Sequence, residues 1–325
     1  MRLRLVKETT NFDFFGTSKI TFGLSALLVV ASIVLFFVNG LNYGIDFKGG
    51  TMMTVATPEV VEVSEYRDRL TELDIGDVSV NEIVDPAAEI NGSVPNQVTI
   101  RFEQQGEEDE IQLEAISLVR STLETTFPGI TFLSVDSVGG KVSGELVWSA
   151  ITAVLLAVGA VLFYIWLRFE WQFSLGAVAA LVHDVVLTIG IFSLTQIEFN
   201  LTIIAAILTI VGYSLNDTVV VFDRVRENLR RYKSQELREV LTKSINETLS
   251  RTFMTSVTTL VALIALFVLG GSVIRGFTFA MIWGVIVGTY SSVFIASAIL
   301  LKLGVKRDWS KPDGEAGTQF SNVDA

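Results

Sequence analysis

Two carboxylates stand inside long apolar stretches of this chain, and they are the residues best placed to do chemistry. Asp184, preceded by the only histidine, His183, sits at the middle of Phe173–Leu194. Asp217 lies within Leu201–Phe222, in the run Val211-Gly-Tyr-Ser-Leu-Asn-Asp-Thr218. An aspartate at mid-membrane costs about 2.5–3.5 kcal/mol on insertion scales, so a retained one marks either a functional site or a hydrogen-bonded joint between helices. Ser214, Asn216 and Thr218 can hydrogen-bond such a carboxyl but cannot titrate. The chemistry available is therefore uptake and release of a proton, with loss of a buried charge in the neutral form. Arg251 opens a further apolar stretch. It reads either as a charged partner for Asp217 or as an interfacial anchor. His183 reads first as a packing or hydrogen-bonding residue.

Other chemistries are poorly served. One histidine and no cysteine cannot supply the usual transition-metal ligands, so no metal site is expected. No glycine loop followed by Lys and Ser/Thr offers a phosphate cradle, so ATP hydrolysis by that route is not expected either. The reading is of a protein that is not an enzyme and carries no cofactor. An intramembrane aspartyl protease would also use two aspartates on neighbouring helices. That class needs Gly-x-Gly-Asp, where this chain has Ser214-Leu-Asn-Asp217.

The elements that must position these groups are membrane helices. The chain has 325 residues, half of them hydrophobic, and a mean hydropathy of +0.53, beyond what a soluble domain of this length carries. Six stretches meet or approach the ~20 apolar residues needed to span a bilayer: Ile20–Val38, Leu146–Leu167, Phe173–Leu194, Leu201–Phe222, Phe253–Leu269 and Phe277–Leu301. The first is too long for the apolar core of a signal peptide, so it is read as retained. Gly284-x-x-x-Gly288 in the last is a close-packing motif between helices.

Charge sets the expected orientation. The termini, the turn at Arg168 and the segment 223–252 together hold 17 of the 24 Lys and Arg, which places them in the cytoplasm. The segment 39–145, between the first and second spans, is then extracytoplasmic. Its stretch from Asn39 to Ser143 is acidic, with 19 Asp and Glu against 6 Lys and Arg. A basic cytoplasmic face suits anionic membrane lipids, and no motif points to nucleic acid.

Within the inserted segment, strand-like and helical periodicities alternate as β-α-β-β-α-β, the ferredoxin-like α+β order. Its strands are read at 51–56, 78–84, 97–103 and 131–138, and its helices at 63–73 and 110–127. In 223–252, Leu237, Val240, Leu241, Ile245 and Leu249 share a face behind a candidate N-cap, Ser234. That helix either lies in the membrane interface or packs on the ends of the spans. The segments 1–19 and 302–325 complete the cytoplasmic side, and the tail from Asp308 onward is polar and Gly-rich.

Several motifs taken together resemble the SecF side of the SecD/SecF protein-export family, within the RND superfamily. They are Gly44-Ile-Asp-Phe-Lys-Gly-Gly-Thr51, Arg168-Phe-Glu-Trp171, Leu181-Val-His-Asp184, Gly212-Tyr-Ser-Leu-Asn-Asp217 running on to Asp223-Arg-Val-Arg-Glu-Asn228, and Arg251-Thr-x-x-Thr255-Ser-x-Thr258-Thr-Leu260. The resemblance covers about residues 15 to 305. It implies half of an RND-type permease in a bacterial inner membrane, paired with a separate SecD-like subunit. It also implies work with the Sec translocon channel on exported, unfolded polypeptide, driven by protons. Asp217 would carry the proton and Arg251 would be its charged partner, with Asp184 as a further acid of the site. Gly44, Asp46, Gly49 and Gly50 belong to the signature, where the glycine pair permits unusual backbone angles and reads as a hinge between membrane and exported domain, as a plain turn into the first strand, or as both. The nearest alternative is half of an RND-type exporter of small molecules or lipids.

Overall fold

The computed structural model describes residues 10–73, 75–83, 96–104, 109–271 and 274–305. The expected loop around Pro86 and Pro95, the acidic pair Glu107 and Glu108, and the tail from Asp308 lie outside the described residues.

Helix α1, Ser18–Asn39, is the first span. A single turn, α2 (Ile45–Lys48), follows and leads into the inserted domain. That domain contains β1 (Gly50–Thr57), α3 (Val63–Thr71), β2 (Val78–Ile83), β3 (Asn96–Phe102), α4 (Asp109–Thr126) and β4 (Thr131–Val138). The sheet order is β2-β3-β1-β4 with every neighbouring pair antiparallel, as a ferredoxin-like fold requires. The register sets Met53 beside Ile100 and Val55 beside Val98. Because side chains alternate across a strand, these four face one side and meet Tyr66 and Leu70 of α3 and Val119 and Leu123 of α4. Full burial of each such side chain contributes about 1.5–3 kcal/mol.

The remaining spans are α5 (Gly140–Arg168), α6 (Trp171–Thr195), α7 (Leu201–Arg231), α8 (Leu237–Leu269) and a composite last helix. The last span runs as α9 (Arg275–Ser291), a π-helical turn (Ser292–Ala296) and α10 (Ser297–Leu303). All six are long and apolar enough to cross a membrane. Helices α6, α7 and the last span form the buried centre, while α1, α5 and the apolar half of α8 present most of their surface outward. Glycines let the central helices approach. A side chain at Gly284 would collide with Ile210, and one at Gly190 would collide with Ser32.

Of the two placements expected for the helix in 223–252, packing on the ends of the spans is the one found, while its separateness from the spans and its N-cap need correction. The segment holds no separate helix in the membrane plane: α7 runs on to Arg231, and α8 is one helix from Leu237 through the whole span. The expected apolar face packs inward, where Val240, Leu241 and Ile245 meet Val225 and Leu229 of α7. Asn228 donates to Ser244 (3.0 Å) and Glu247 (2.6 Å), locking the two polar extensions together. Burial against α7 removes the face that an interfacial helix would give to lipid. Ser234 is not the N-cap. It lies in the tight turn closed by Gln235 N–H to the Tyr232 carbonyl (3.3 Å), and the cap falls at Glu236 without a side-chain bond.

Candidate functional site

Both intramembrane aspartates are buried, and each gathers hydroxyls from other helices. Asp217 on α7 is 8% exposed and accepts hydrogen bonds from Thr252 of α8 (2.6 Å) and Ser292 of the last span (2.6 Å). Asp184 on α6 is 1% exposed and accepts from Ser214 of α7 (2.6 Å) and Ser291 of the last span (2.8 Å). Its second oxygen lies 2.9 Å from Nδ1 of His183. His183 is thus a hydrogen-bonding neighbour, with its ring 6.2 Å from that of Tyr290. The sites sit about one helical turn apart, since Ser214 and Asp217 are three residues apart on α7. Asp184 is the one nearer the inserted domain.

The polar neighbours read from the sequence divide. Ser214 serves Asp184 rather than Asp217. Asn216 is on the exposed face of α7, and Thr218 is buried on the same helix. The groups that do hold Asp217, Thr252 and Ser292, went unremarked. Thr252 stood beside Arg251 in a matched motif, and Ser291-Ser292 is a hydroxyl pair in an apolar span, which was the available signal.

Arg251 makes no ion pair with Asp217 among the described residues. It is exposed, around a surface hollow it shares with Asp223, Arg224, Glu227 and Glu247. Adjacent residues of a helix point about 100° apart, so with Thr252 aimed at Asp217 its neighbour Arg251 faces elsewhere. Its charge reaches Asp217 through space only.

The signature after α1 surrounds the end of α7 nearest the inserted domain. Asp46 accepts a hydrogen bond from Leu201 N–H (2.9 Å), and Asn200 accepts from Thr202 and Ile203 N–H, so the first turn of α7 is capped twice. Tyr43 and Phe199 pair by their backbones, and their rings pack with Phe47. Arg101 of β3 forms an ion pair with Glu198 (2.6 Å) and donates to the Tyr43 carbonyl (3.0 Å). The Glu198 carboxylate lies where a side chain on Gly44 would stand, 2.6 Å from its Cβ position. Gly49 and Gly50 hold φ of 73° and 109°, and a Cβ on Gly50 would overlap the Phe102 carbonyl. The pair is thus required for close packing at the start of β1. Sequence reasoning missed Arg101 and Glu198. The one signal was a basic residue in a strand of a strongly acidic domain.

At the opposite end of the bundle, two of the matched motifs meet. Arg168 pairs with Asp223 (3.3 Å), and the buried Arg226 lies 3.6 Å from Asp223 with its guanidinium over Phe169.

Comparison with known proteins agrees with this arrangement. Residues 118–306 match the family model for the C-terminal part of the protein export membrane proteins SecD/SecF, and residues 34–57 match that for the SecD/SecF GG motif. The chain is 54% identical over 324 residues to the protein translocase subunit SecF of Cereibacter sphaeroides, covering 100% of this chain and 99% of that one. The SecF of Rhodobacter capsulatus is 50% identical, with 96% and 95% covered. The crystal structure of SecDF, a translocon-associated membrane protein from Thermus thermophilus, superposes with a TM-score of 0.81 at 35% identity. That match takes in 92% of this chain but 39% of the solved one. This chain therefore belongs to the SecD/SecF family of protein-export membrane proteins, on its SecF side.

Proposed function

We propose that this chain is the SecF-type subunit of a protein translocase, paired with a SecD-type subunit, and that it uses the proton gradient to assist late-stage export of unfolded polypeptides through the Sec channel across the bacterial cytoplasmic membrane. The observation that carries the reading is Asp217. It is a buried carboxylate at the meeting of α7, α8 and the last span, held by two hydroxyls and no ion pair among the described residues. Hydroxyls serve either protonation state, because each can donate to a carboxylate or accept from a carboxylic acid. Moving one charge through 100 mV is worth about 2.3 kcal/mol, enough to bias two helix packings. Asp184 is a second acid of the site. Arg251 is exposed beside the site and makes no ion pair with Asp217 among the described residues.

The fused SecDF relative, of which this chain matches less than half, supports a SecD-type partner, and relatives named as translocase subunits favour polypeptide export over small-molecule export. From Asp217, α7 runs about 24 Å, at 1.5 Å per residue, to the end capped by Asp46 and flanked by the Arg101–Glu198 pair. Movement of α7 is thereby passed to a domain that holds emerging polypeptide.

Asp217→Asn keeps the shape of the site but cannot exchange a proton. In inverted vesicles the variant should insert and bind its SecD-type partner, and completion of preprotein translocation should lose its dependence on the gradient. Wild-type gradient dependence in that variant would rule out the proton-carrier role.

We place both termini in the cytoplasm. The chain has no cysteine, so single cysteines at the exposed Leu133 and Ser234 report orientation directly. An impermeant thiol reagent outside intact cells should label position 133 and leave 234 untouched; the reverse pattern inverts the topology.

A further inference from the structure

Asp184 and Asp217 are carried by different helices, yet their hydrogen bonds end on adjacent residues of a third. Ser291 donates to Asp184 and Ser292 donates to Asp217. Each hydroxyl also has an acceptor on its own helix, the Gly288 carbonyl for Ser291 (3.1 Å) and the Thr289 carbonyl for Ser292 (3.1 Å). A hydroxyl has one proton, and an ionised carboxylate competes for it more strongly than a carbonyl does. When the carboxyl takes up a proton it becomes a donor, and the serine is free to turn back to its own helix. Each serine therefore reports the protonation state of one aspartate.

The backbone at this point is itself irregular. Ser292 begins the π-helical turn, and the Ser292 carbonyl accepts a hydrogen bond from the Ser297 hydroxyl (3.2 Å). The Ala296 carbonyl, at the end of the turn, lies so close to α6 that a Cβ on Gly176 would stand 2.9 Å from it. Such turns inside α-helices are frequent at functional sites. The charged and titratable groups facing the pair are few. Asp184 has His183 on its own helix, with Tyr290 beyond it, and Asp217 has the through-space charge of Arg251. The other groups bonded to the two acids are the hydroxyls of Ser214, Thr252, Ser291 and Ser292.

We propose that Ser291 and Ser292, at the π-helical turn, join Asp184 and Asp217 into one two-carboxylate unit, so that a proton on one acid changes the proton affinity of the other. This rests on the proton-carrier reading of Asp217. Both serines are positioning residues, and the turn is the element that two protonation states bias in opposite directions. Groups coupled in this way titrate as a pair.

The test is a pH titration followed by infrared spectroscopy on the full chain with its SecD-type partner in lipid nanodiscs. The Asp217 carboxyl band is identified by its loss in Asp217→Asn. Ser291→Ala removes a contact of Asp184 only, yet it should change the proton affinity of Asp217 by about threefold or more. Ser291→Thr, which keeps the hydroxyl, should restore the wild-type titration. Asp184→Asn, which keeps shape and polarity, should shift the Asp217 band as well, so the result does not depend on one variant folding. An Asp217 band that titrates as wild type in both Ser291→Ala and Asp184→Asn overturns the coupling. A band that persists unchanged in Asp217→Asn overturns the proton-carrier reading itself, and the coupling falls with it.

Discussion

The inserted domain and the membrane bundle are built on opposite plans. The domain buries Met53, Val55, Tyr66, Leu70, Ile100, Phe102, Val119 and Leu123, and its fully buried polar side chains are few, among them Thr51, Thr57 and Gln112. The bundle leaves large apolar residues such as Leu27, Leu155, Phe163 and Val261 on its surface and buries Asp184, Ser193, Ser214, Asp217, Thr252, Thr278, Ser291 and Ser292. The reason is the solvent. Water drives the domain to hide apolar area, whereas lipid gives apolar side chains no motive to leave the surface. Helices in lipid associate through close packing and hydrogen bonds, so their contacts collect small and hydroxyl residues. A buried carboxyl in the bundle thus has hydroxyls of neighbouring helices to bond, whereas the domain core offers few such groups.

The comparison can be sharpened by equal truncations in the two regions. Leu70→Ala in the domain core should cost about 2–5 kcal/mol, through lost burial and the cavity left behind. Leu155→Ala on the exposed side of α5 should change stability by no more than about 0.5 kcal/mol. Protease resistance of the inserted domain and thermal stability of the detergent-solubilised chain read the two. A comparable loss at both positions would break the contrast.

A smaller effect is expected where the regions meet. Gly50→Ala combines a left-handed φ with overlap against the Phe102 carbonyl. It should destabilise the start of β1 by about 1–3 kcal/mol. Hydrogen exchange at Thr51 and Phe102, which pair across β1 and β3, should rise while exchange in α7 stays as in wild type. Protection unchanged at both residues would mean that the strand tolerates the side chain.

The smallest effect is expected at the ion pair bridging the regions. Arg101 and Glu198 are partly shielded from water, so a double-mutant cycle to Ala should give a coupling of about 1 kcal/mol or somewhat more, above that of a fully exposed pair. If the pair transmits movement of α7, Arg101→Ala should also weaken gradient-dependent export while the domain stays folded. Full export in that variant would reduce the pair to a local clamp.

Much of this architecture was legible beforehand. Hydropathy summed over some twenty residues is a property of the chain in one dimension, so the six spans and the inserted segment could be read directly. The alternation of strand and helix in that segment owed its visibility to water on one face. The helix at 237–249 was legible from its apolar face, but its continuity with α8, and that of 223–231 with α7, was not, because a helix buried against a helix outside the apolar run leaves no hydropathy signal. Asp184 and Asp217 were legible because charge inside an apolar stretch is rare.

What surrounds them was settled by tertiary structure alone. Whether Ser214 serves Asp184 or Asp217 depends on how far α7 is rotated against α6, and a single residue turns a helix by about 100°. Rotation likewise aims Thr252 at Asp217 and leaves Arg251 exposed. The Arg101–Glu198 pair joins residues nearly a hundred positions apart, and the π-helical turn Ser292–Ala296 leaves no mark in the hydropathy of its span. Composition and periodicity determine which segments cross the membrane and which acids they carry. Partner choice is decided by helix rotation and close packing, because a hydrogen bond forms only within about 3 Å and along one direction.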